Sequence, residues 1–101
     1  MAHKVILTET ALHDLQSISD YLAEAAGEDV AATYVAQLKA ACLSLTDFPH
    51  RGRPRDEISA DLRSIPFARL VTIFYVVQRD EVHIVRMVHA RRDLAAAFED
   101  K

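Results

Sequence analysis

The hydrophobic pattern of this sequence changes its period once, from helical in the first half to strand-like in the second. From Glu9 onward, apolar residues recur at steps of three and four, which is the spacing of one helix face. From Leu62 onward, they form the apolar runs of strands bounded by turns. The chain has 101 residues, which leaves no room for a second core. We therefore expect one α+β domain over residues 1–101.

Two helices are predicted after a short first strand over residues 3–7. Thr8 has the features of an N-cap, Gly27 is expected to end the first helix, and Glu28 with Asp29 favours a new helix start. Because the turn between them is so short, the two helices must pack antiparallel. The residues expected to face the core are Leu12, Leu15, Ile18, Tyr21, Leu22 and Ala25, then Val30, Tyr34, Leu38, Ala41, Cys42, Leu45 and Phe48. The residues expected on the opposite, polar face of the first helix are Asp14, Ser17, Asp20 and Glu24.

A loop and an antiparallel meander are predicted for the second half. Residues 49–55 hold two prolines, one glycine and three arginines, a composition that sustains neither period. A tight turn is expected at residues 78–81. The three predicted strands cover residues 62–67, 69–77 and 82–89.

The predicted meander leaves one sheet face to be explained. Pro66 confines the first of its strands to an edge or a bulge, because proline cannot donate to a strand ladder. The middle strand is apolar on both faces, so both faces need a cover. The helices are expected to cover one face, and either a third helix over residues 93–99 or a partner protein the other.

The arginines are confined to the second half of the sequence. Residues 1–50 hold two lysines and seven acids, a net charge of −5, whereas residues 51–101 hold nine arginines and one lysine against eight acids, a net charge of +2. Arginine offers a planar fork of donors that matches phosphates and carboxylates. This half therefore predicts either a recognition surface or an ordinary solvated charge.

Several classes of protein are excluded by what the sequence lacks. Cys42 is the only cysteine, so an internal disulfide is excluded, and we expect a reducing cytoplasm, with Cys42 either a buried hydrophobe or a reactive thiol. The five histidines lack metal-binding spacing, so we expect no metal. With two glycines, no phosphate cradle and hence no nucleotide cofactor is expected. No run approaches the ~20 apolar residues of a membrane span.

Arg86 and His89 are the candidate chemical groups of the last strand. A charge in so apolar a strand predicts either a structural acid partner or a bound anion for Arg86. His89 precedes two arginines, which would favour the neutral imidazole that a general base requires, although a structural hydrogen-bonded histidine is the alternative. The period of two places Arg86 on the same face as Val82, Ile84 and Val88.

Two stretches carry a more specific pattern: residues 62–75 read LRSIPFARLVTIFY and residues 84–93 read IVRMVHARRD. In order and spacing, over almost the whole chain, they resemble the ParE/RelE superfamily of bacterial toxins from type II toxin–antitoxin modules. The resemblance implies an N-terminal strand, an antiparallel two-helix hairpin on a small, mainly antiparallel sheet, and a short C-terminal helix.

The resemblance also implies partners for the chain. It implies a cytoplasmic growth-inhibiting toxin neutralised by a small antitoxin, and operator DNA contacted only through that antitoxin. An acidic amphipathic segment that folds on binding suits an apolar sheet face flanked by arginines. The residues expected to contact the antitoxin are Arg63, Phe67, Arg69, Phe74 and Arg86.

The superfamily divides by target. RelE-like members cleave mRNA on the ribosome, which needs a general base, a general acid and cations; here the candidates are Arg63, Arg69, Arg86 and His89. ParE-like members instead poison DNA gyrase by binding. This chain lacks the C-terminal tyrosine and the basicity of the nucleases, so gyrase is the favoured target. A third hypothesis is a non-toxic co-repressor that only binds the antitoxin. The residues expected to contact gyrase are Arg86, His89, Arg91, Arg92, Asp93 and Leu94.

Overall fold

The computed structural model describes residues 3–68 and 70–89, which form a strand, two helices and four further strands. Their bounds are β1 Lys4–Leu7, α1 Glu9–Ala26, α2 Glu28–Leu43, a 3-10 turn Ser44–Thr46, β2 Arg53–Pro54, β3 Leu62–Phe67, β4 Val71–Gln78 and β5 Glu81–His89. The α+β class is confirmed. The expected C-terminal helix, and the site candidates Arg69, Arg91, Arg92, Asp93 and Leu94, lie outside the described residues.

Both ends of α1 are where the sequence predicts them. The Thr8 hydroxyl accepts a hydrogen bond from the N–H of Ala11 at 3.2 Å and donates to the carbonyl of Ile84 at 2.9 Å, so the N-cap also ties the helix to β5. Gly27 has φ 101°, a conformation that side chains disfavour, and it separates α1 from α2. No helix in the described part of the chain is long and apolar enough to cross a membrane.

Five of the expected core residues are exposed instead, namely Leu12, Tyr21, Ala25, Val30 and Phe48. Leu12 and Tyr21 are 51% and 48% exposed because each lies beside the buried stripe of α1, and one residue step turns the helix by about 100°. Val30 in the first turn of α2 is 48% exposed and Phe48 is 69% exposed. Phe48 misses the core because α2 ends at Leu43, and the 3-10 turn that follows breaks the helical spacing.

The five strands form one sheet in the order β1-β5-β4-β3-β2. β1 pairs parallel with β5, and the other neighbours pair antiparallel. β2 lies within the stretch predicted as loop, so that prediction is wrong at Arg53 and Pro54, which pair with Ser64 and Arg63. Proline is tolerated there because β2 is an edge strand.

Side chains of β4 alternate between two apolar clusters, one on each face of the sheet. The cluster beneath the helices contains the buried residues Ala11, Leu15, Ile18, Leu38, Cys42, Leu45, Ile65, Val71, Ile73, Tyr75, Val82, Ile84 and Met87. The cluster on the other face contains Leu62, Phe74 and Val88, with Ile58, Val76 and Val85 against them. Because Ile58 precedes β3, this loop supplies part of the cover that the sequence assigned to a third helix or a partner.

A β-bulge in β5 changes which residues share a face. Phe74 is opposite Arg86, whereas Tyr75 is opposite Ile84, so Val85 has no partner in β4. An extra residue interrupts the period of two. Ile84 therefore belongs to the helix-side cluster and Val88 to the other one, and the prediction that both share a face with Arg86 is wrong.

Candidate functional site

Arg86 forms a largely buried ion pair with Asp14 of α1. Its Nε donates to Oδ2 at 2.7 Å and its Nη2 donates to Oδ1 at 3.1 Å. The side chain of Asp14 is 5% exposed and that of Arg86 is 16% exposed. Of the two alternatives for Arg86, the structural acid partner is therefore confirmed.

Asp14 also closes the open edge of β5. β1 pairs with β5 only as far as Ile84, so in the described residues the following part of β5 has no strand on that side. The N–H of Met87 there donates to Asp14 Oδ2 at 3.0 Å. A carboxylate from α1 thus takes the place of a strand partner on an edge that would otherwise offer free donors.

Asp14 is the functional residue that the sequence analysis placed wrongly, on the polar face of α1. It is buried with Ala11, Leu15 and Ile18. A signal was present, because residues 11, 14, 15 and 18 follow the helical spacing of one face. A lone acid in that stripe predicts a buried cation partner, and Arg86 was the corresponding lone cation in a strand.

His89 lies at the end of β5 against an aromatic ring from α1. The ring centroids of His89 and Tyr21 are 5.3 Å apart, with an interplanar angle of 65°. Edge-to-face packing of this kind is a favourable aromatic geometry. Asp14, Tyr21, Arg86 and His89 therefore gather on one side of the molecule, where α1 crosses β5; nothing in the sequence linked Tyr21 to His89.

Arg63 is engaged at the other side of the sheet. From β3, its Nη1 donates to the carbonyls of His50 at 3.1 Å and Gly52 at 2.8 Å. The Tyr75 hydroxyl accepts the N–H of Gly52 at 2.8 Å, and a Cβ on Gly52 would overlap that hydroxyl. Burial raises the pKa of Tyr75, although the Gly52 hydrogen bond and the charges of Arg63 and Arg51 oppose the shift.

Four arginines line this side, and we call Arg51, Arg53, Arg55 and Arg63 the arginine edge. Arg55 donates to Glu57 at 2.7 Å, which lowers the pKa of the Glu57 carboxyl. The guanidinium of Arg55 also lies 5.7 Å from the ring centroid of Phe74. Phe74 is fully buried, so this expected antitoxin contact lies in the second apolar cluster.

The arrangement does not bring the four nuclease candidates together. Arg63 holds backbone carbonyls beside β2, whereas Arg86 reaches Asp14 beyond the opposite edge of β5. β4 lies between their strands, and each strand spacing adds about 4.8 Å. Only Arg86 and His89 share a location, with Arg69 outside the described residues.

Phe67, another expected antitoxin contact, ends β3 against α2. Its ring centroid is 5.2 Å from that of Tyr34, at an interplanar angle of 81°. Burial raises the pKa of Tyr34. Tyr34 also lines a shallow depression of about 370 Å³ together with Asp29, Val30, Thr33 and Gln37.

The remaining titratable groups point to no metal or thiol chemistry in the described residues. No group of three or more histidine, cysteine or acidic side chains is placed there to hold a metal ion. Cys42 is buried, and burial raises its pKa to about 11. Cys42 is therefore a protonated, buried hydrophobe, as one of the two alternatives expected.

Known proteins with similar sequences and folds place this arrangement in a family. The chain is 39% identical over 90 residues to Toxin RelE2 of Caulobacter vibrioides, covering 88% of this chain and 97% of that protein. The fold is similar to that of the chromosomal ParDE toxin–antitoxin system from P. aeruginosa, with a TM-score of 0.77 and 20% identity, covering 87% of this chain and 96% of the other.

A second solved structure has the same fold. It is the RelBE2 toxin–antitoxin complex from Mycobacterium tuberculosis, with a TM-score of 0.67 and 20% identity over 88% of this chain and 99% of the other. Residues 5–94 match the family described as the ParE toxin of the type II toxin–antitoxin system parDE. Since this match spans nearly the whole chain, the protein belongs to the ParE/RelE superfamily of type II toxin–antitoxin toxins.

Proposed function

We propose that this toxin inhibits growth by binding and poisoning DNA gyrase, and that it does so without bond chemistry of its own. The observation that carries the proposal is the ion pair between Arg86 and Asp14. The Nε and Nη2 atoms of Arg86 both donate to this buried carboxylate. A phosphate would have to displace that carboxylate and leave its charge unpaired in a buried position.

The placement of the other nuclease candidates also favours binding over RNA cleavage. RNA cleavage needs cations and a proton acceptor gathered at one phosphate, and Arg63 is engaged on the far side of the sheet. The net charge of −3 also gives little attraction to RNA. The proposed gyrase contacts are the β5 end and the residues after it, namely His89, Arg91, Arg92, Asp93 and Leu94. Arg86, also expected as a contact, is held in its largely buried pair with Asp14 and supports this end of β5 from within.

We also propose a cognate antitoxin as the neutralising partner. The similar structures come from toxin–antitoxin systems. The arginine edge offers guanidinium groups to an acidic segment, and Phe67 offers an aromatic contact at the end of β3. Contact with operator DNA is assigned to the antitoxin.

Purified gyrase tests the proposal directly. We expect the purified chain to inhibit supercoiling of relaxed plasmid and to trap cleaved DNA, and we expect preincubation with the antitoxin to abolish both effects. In cells, DNA synthesis should stop before protein synthesis after induction of the chain alone. Earlier collapse of protein synthesis, with active gyrase, would contradict the proposal.

A truncated chain tests the contact residues. Removing residues 91–101 should abolish gyrase inhibition while antitoxin binding persists, because the proposed contacts after β5 are lost. Thermal unfolding followed by circular dichroism serves as the control for folding. A folded, truncated chain that still inhibits gyrase would show that these residues are not the contact.

One observation favours ribosome-dependent mRNA cleavage as a second candidate. Tyr21 stands beside His89 and supplies the aromatic group that the sequence lacks near its C-terminus, and one relative is named Toxin RelE2. If this candidate is correct, His89→Ala should abolish mRNA cleavage on ribosomes and leave the antitoxin complex intact. An His89→Ala chain that still cleaves would exclude His89 from that role.

A further inference from the structure

Two aromatic pairs join the helical hairpin to one end of the sheet. Tyr21 of α1 packs against His89 of β5, and Tyr34 of α2 packs against Phe67 of β3. The strand register connects the pairs, since Val71 of β4 is opposite both Phe67 and His89. The rings therefore follow one line across the end of the molecule.

Apolar side chains are exposed along this line. Tyr21 and Val30 are each 48% exposed, and Leu70, next to Val71, is 38% exposed. Val30 and Tyr34 also line the shallow depression on α2. We call Tyr21, Val30, Tyr34, Leu70 and His89 the hairpin-end surface. Tyrosine is among the usual anchors of protein interfaces, and apolar side chains exposed together mark interaction sites.

Within the part of the chain that the structure describes, the charge that borders the helical side of this surface is negative. No lysine or arginine occurs between Lys4 and Lys39. The carboxylates at the end of α1 and the start of α2 are all exposed, namely Asp20, Glu24, Glu28 and Asp29. The arginine edge lies instead at the β2 side of the sheet. The two surfaces therefore suit partners of opposite charge.

We propose that the hairpin-end surface docks onto a basic surface of gyrase, with Tyr21, Val30 and Leu70 as the apolar anchors. The proposal rests on the proposed function. Acidic side chains around apolar anchors complement a basic partner surface, and the part of gyrase that contacts DNA phosphates supplies such a surface. The antitoxin segment, expected to be acidic, is suited to the arginine edge and leaves Tyr21, Val30 and Leu70 to the target.

A pair of charge-matched variants tests the proposal. One variant is Asp20→Asn/Glu24→Gln/Glu28→Gln/Asp29→Asn, and its control is Glu9→Gln/Asp47→Asn/Asp56→Asn/Asp80→Asn, which removes the same charge from exposed acids elsewhere. Binding of each full-length chain to purified gyrase is measured by surface plasmon resonance at low and high salt. We expect the first variant to bind about tenfold more weakly at low salt and to lose most of its salt dependence, and the control to change by less than about twofold.

A second pair tests the apolar anchors without touching the buried rings. Val30→Ser/Leu70→Ser should weaken gyrase binding by about tenfold, because both side chains would be buried at the interface. Leu12→Ser/Leu43→Ser removes two apolar side chains that are at least as exposed and lie in other places, and this chain should bind as the unmodified chain does. Circular dichroism of all four variants controls for folding.

The outcomes separate this proposal from the function on which it rests. Gyrase binding unchanged in both hairpin-end variants would overturn the proposal. So would a loss of antitoxin binding with gyrase binding retained, because the surface would then belong to the antitoxin. An unmodified chain that fails to bind gyrase in the same assay would refute the proposed function itself, and this inference with it.

Discussion

Replacing Asp14 with alanine would leave the guanidinium of Arg86 without its carboxylate in a position that is only 16% exposed. Breaking a buried pair by removing one partner costs about 3–5 kcal/mol. The N–H of Met87 would lose its acceptor as well. Because the same carboxylate makes both interactions, their free energies are not additive, and the cost of this hydrogen bond is not added in full. We expect the free energy of unfolding to fall by about 4 kcal/mol, out of roughly 5–15 kcal/mol for a domain of this size.

Urea unfolding followed by circular dichroism measures this loss. In thermal unfolding, about 4 kcal/mol corresponds to a lower Tm by roughly 15–30 °C, given about 4–8 °C per kcal/mol in small domains. Asp20→Ala is the matched control, because Asp20 is an exposed acid on the same helix that accepts a hydrogen bond from Gln16. It should cost no more than about 0.5 kcal/mol.

A double variant checks the cause of the loss. Asp14→Leu/Arg86→Met replaces both charges with apolar groups and should recover most of the stability, since the main cost is the unpaired charge. A loss below about 1 kcal/mol for Asp14→Ala would refute the reasoning, because it would mean that water or another group compensates Arg86. A double variant as unstable as Asp14→Ala would show that the packing of Asp14 matters more than its charge.

Three further predictions concern other contacts. Gly52→Ala should lower the free energy of unfolding by about 1–3 kcal/mol because its Cβ would overlap the Tyr75 hydroxyl. In a Tyr75→Phe chain, which lacks that hydroxyl, Gly52→Ala should lower the free energy of unfolding by less, as measured by urea unfolding. Thr8→Ala should cost about 1 kcal/mol, whereas Thr8→Ser should cost less, because only alanine removes the N-cap oxygen. The pKa of Cys42, about 11, is raised above its ordinary value near 9, so its contribution to stability is present below pH 9 and is lost as the pH rises to 11. In urea titrations between pH 9 and pH 11, the free energy of unfolding should fall less for Cys42→Ser than for the unmodified chain. An identical decrease in both chains would contradict this assignment.

Local features of the sequence predicted most of the fold. Thr8 and Gly27 marked the ends of α1 because caps and left-handed residues are determined by the chemistry of a few neighbouring residues. The turn at residues 78–81 and the meander were also confirmed. The two-residue strand β2 was missed because its pairing is set by β3 and not by Arg53 and Pro54 themselves.

The candidate site was predicted only in part. Arg86 was identified as a charge in need of a partner, and the structure supplies Asp14, which helical spacing places on the buried stripe. Tyr21 was expected in the core but lies exposed beside His89. Its position at the margin of the buried stripe, where a shift of one residue decides burial, explains the error.

The features that could be read from the sequence are therefore local: the order of helices and strands, their caps and turns, and one arginine in the last strand that requires a partner. Which groups meet depends on the three-dimensional packing of these elements. The bulge at Val85 changes the face that later β5 residues occupy, and Asp14 meets Arg86 across 72 positions of the chain. Contacts of this kind depend on how α1 crosses the sheet. The hydrophobic periodicity within α1 or within β5 does not predict that crossing.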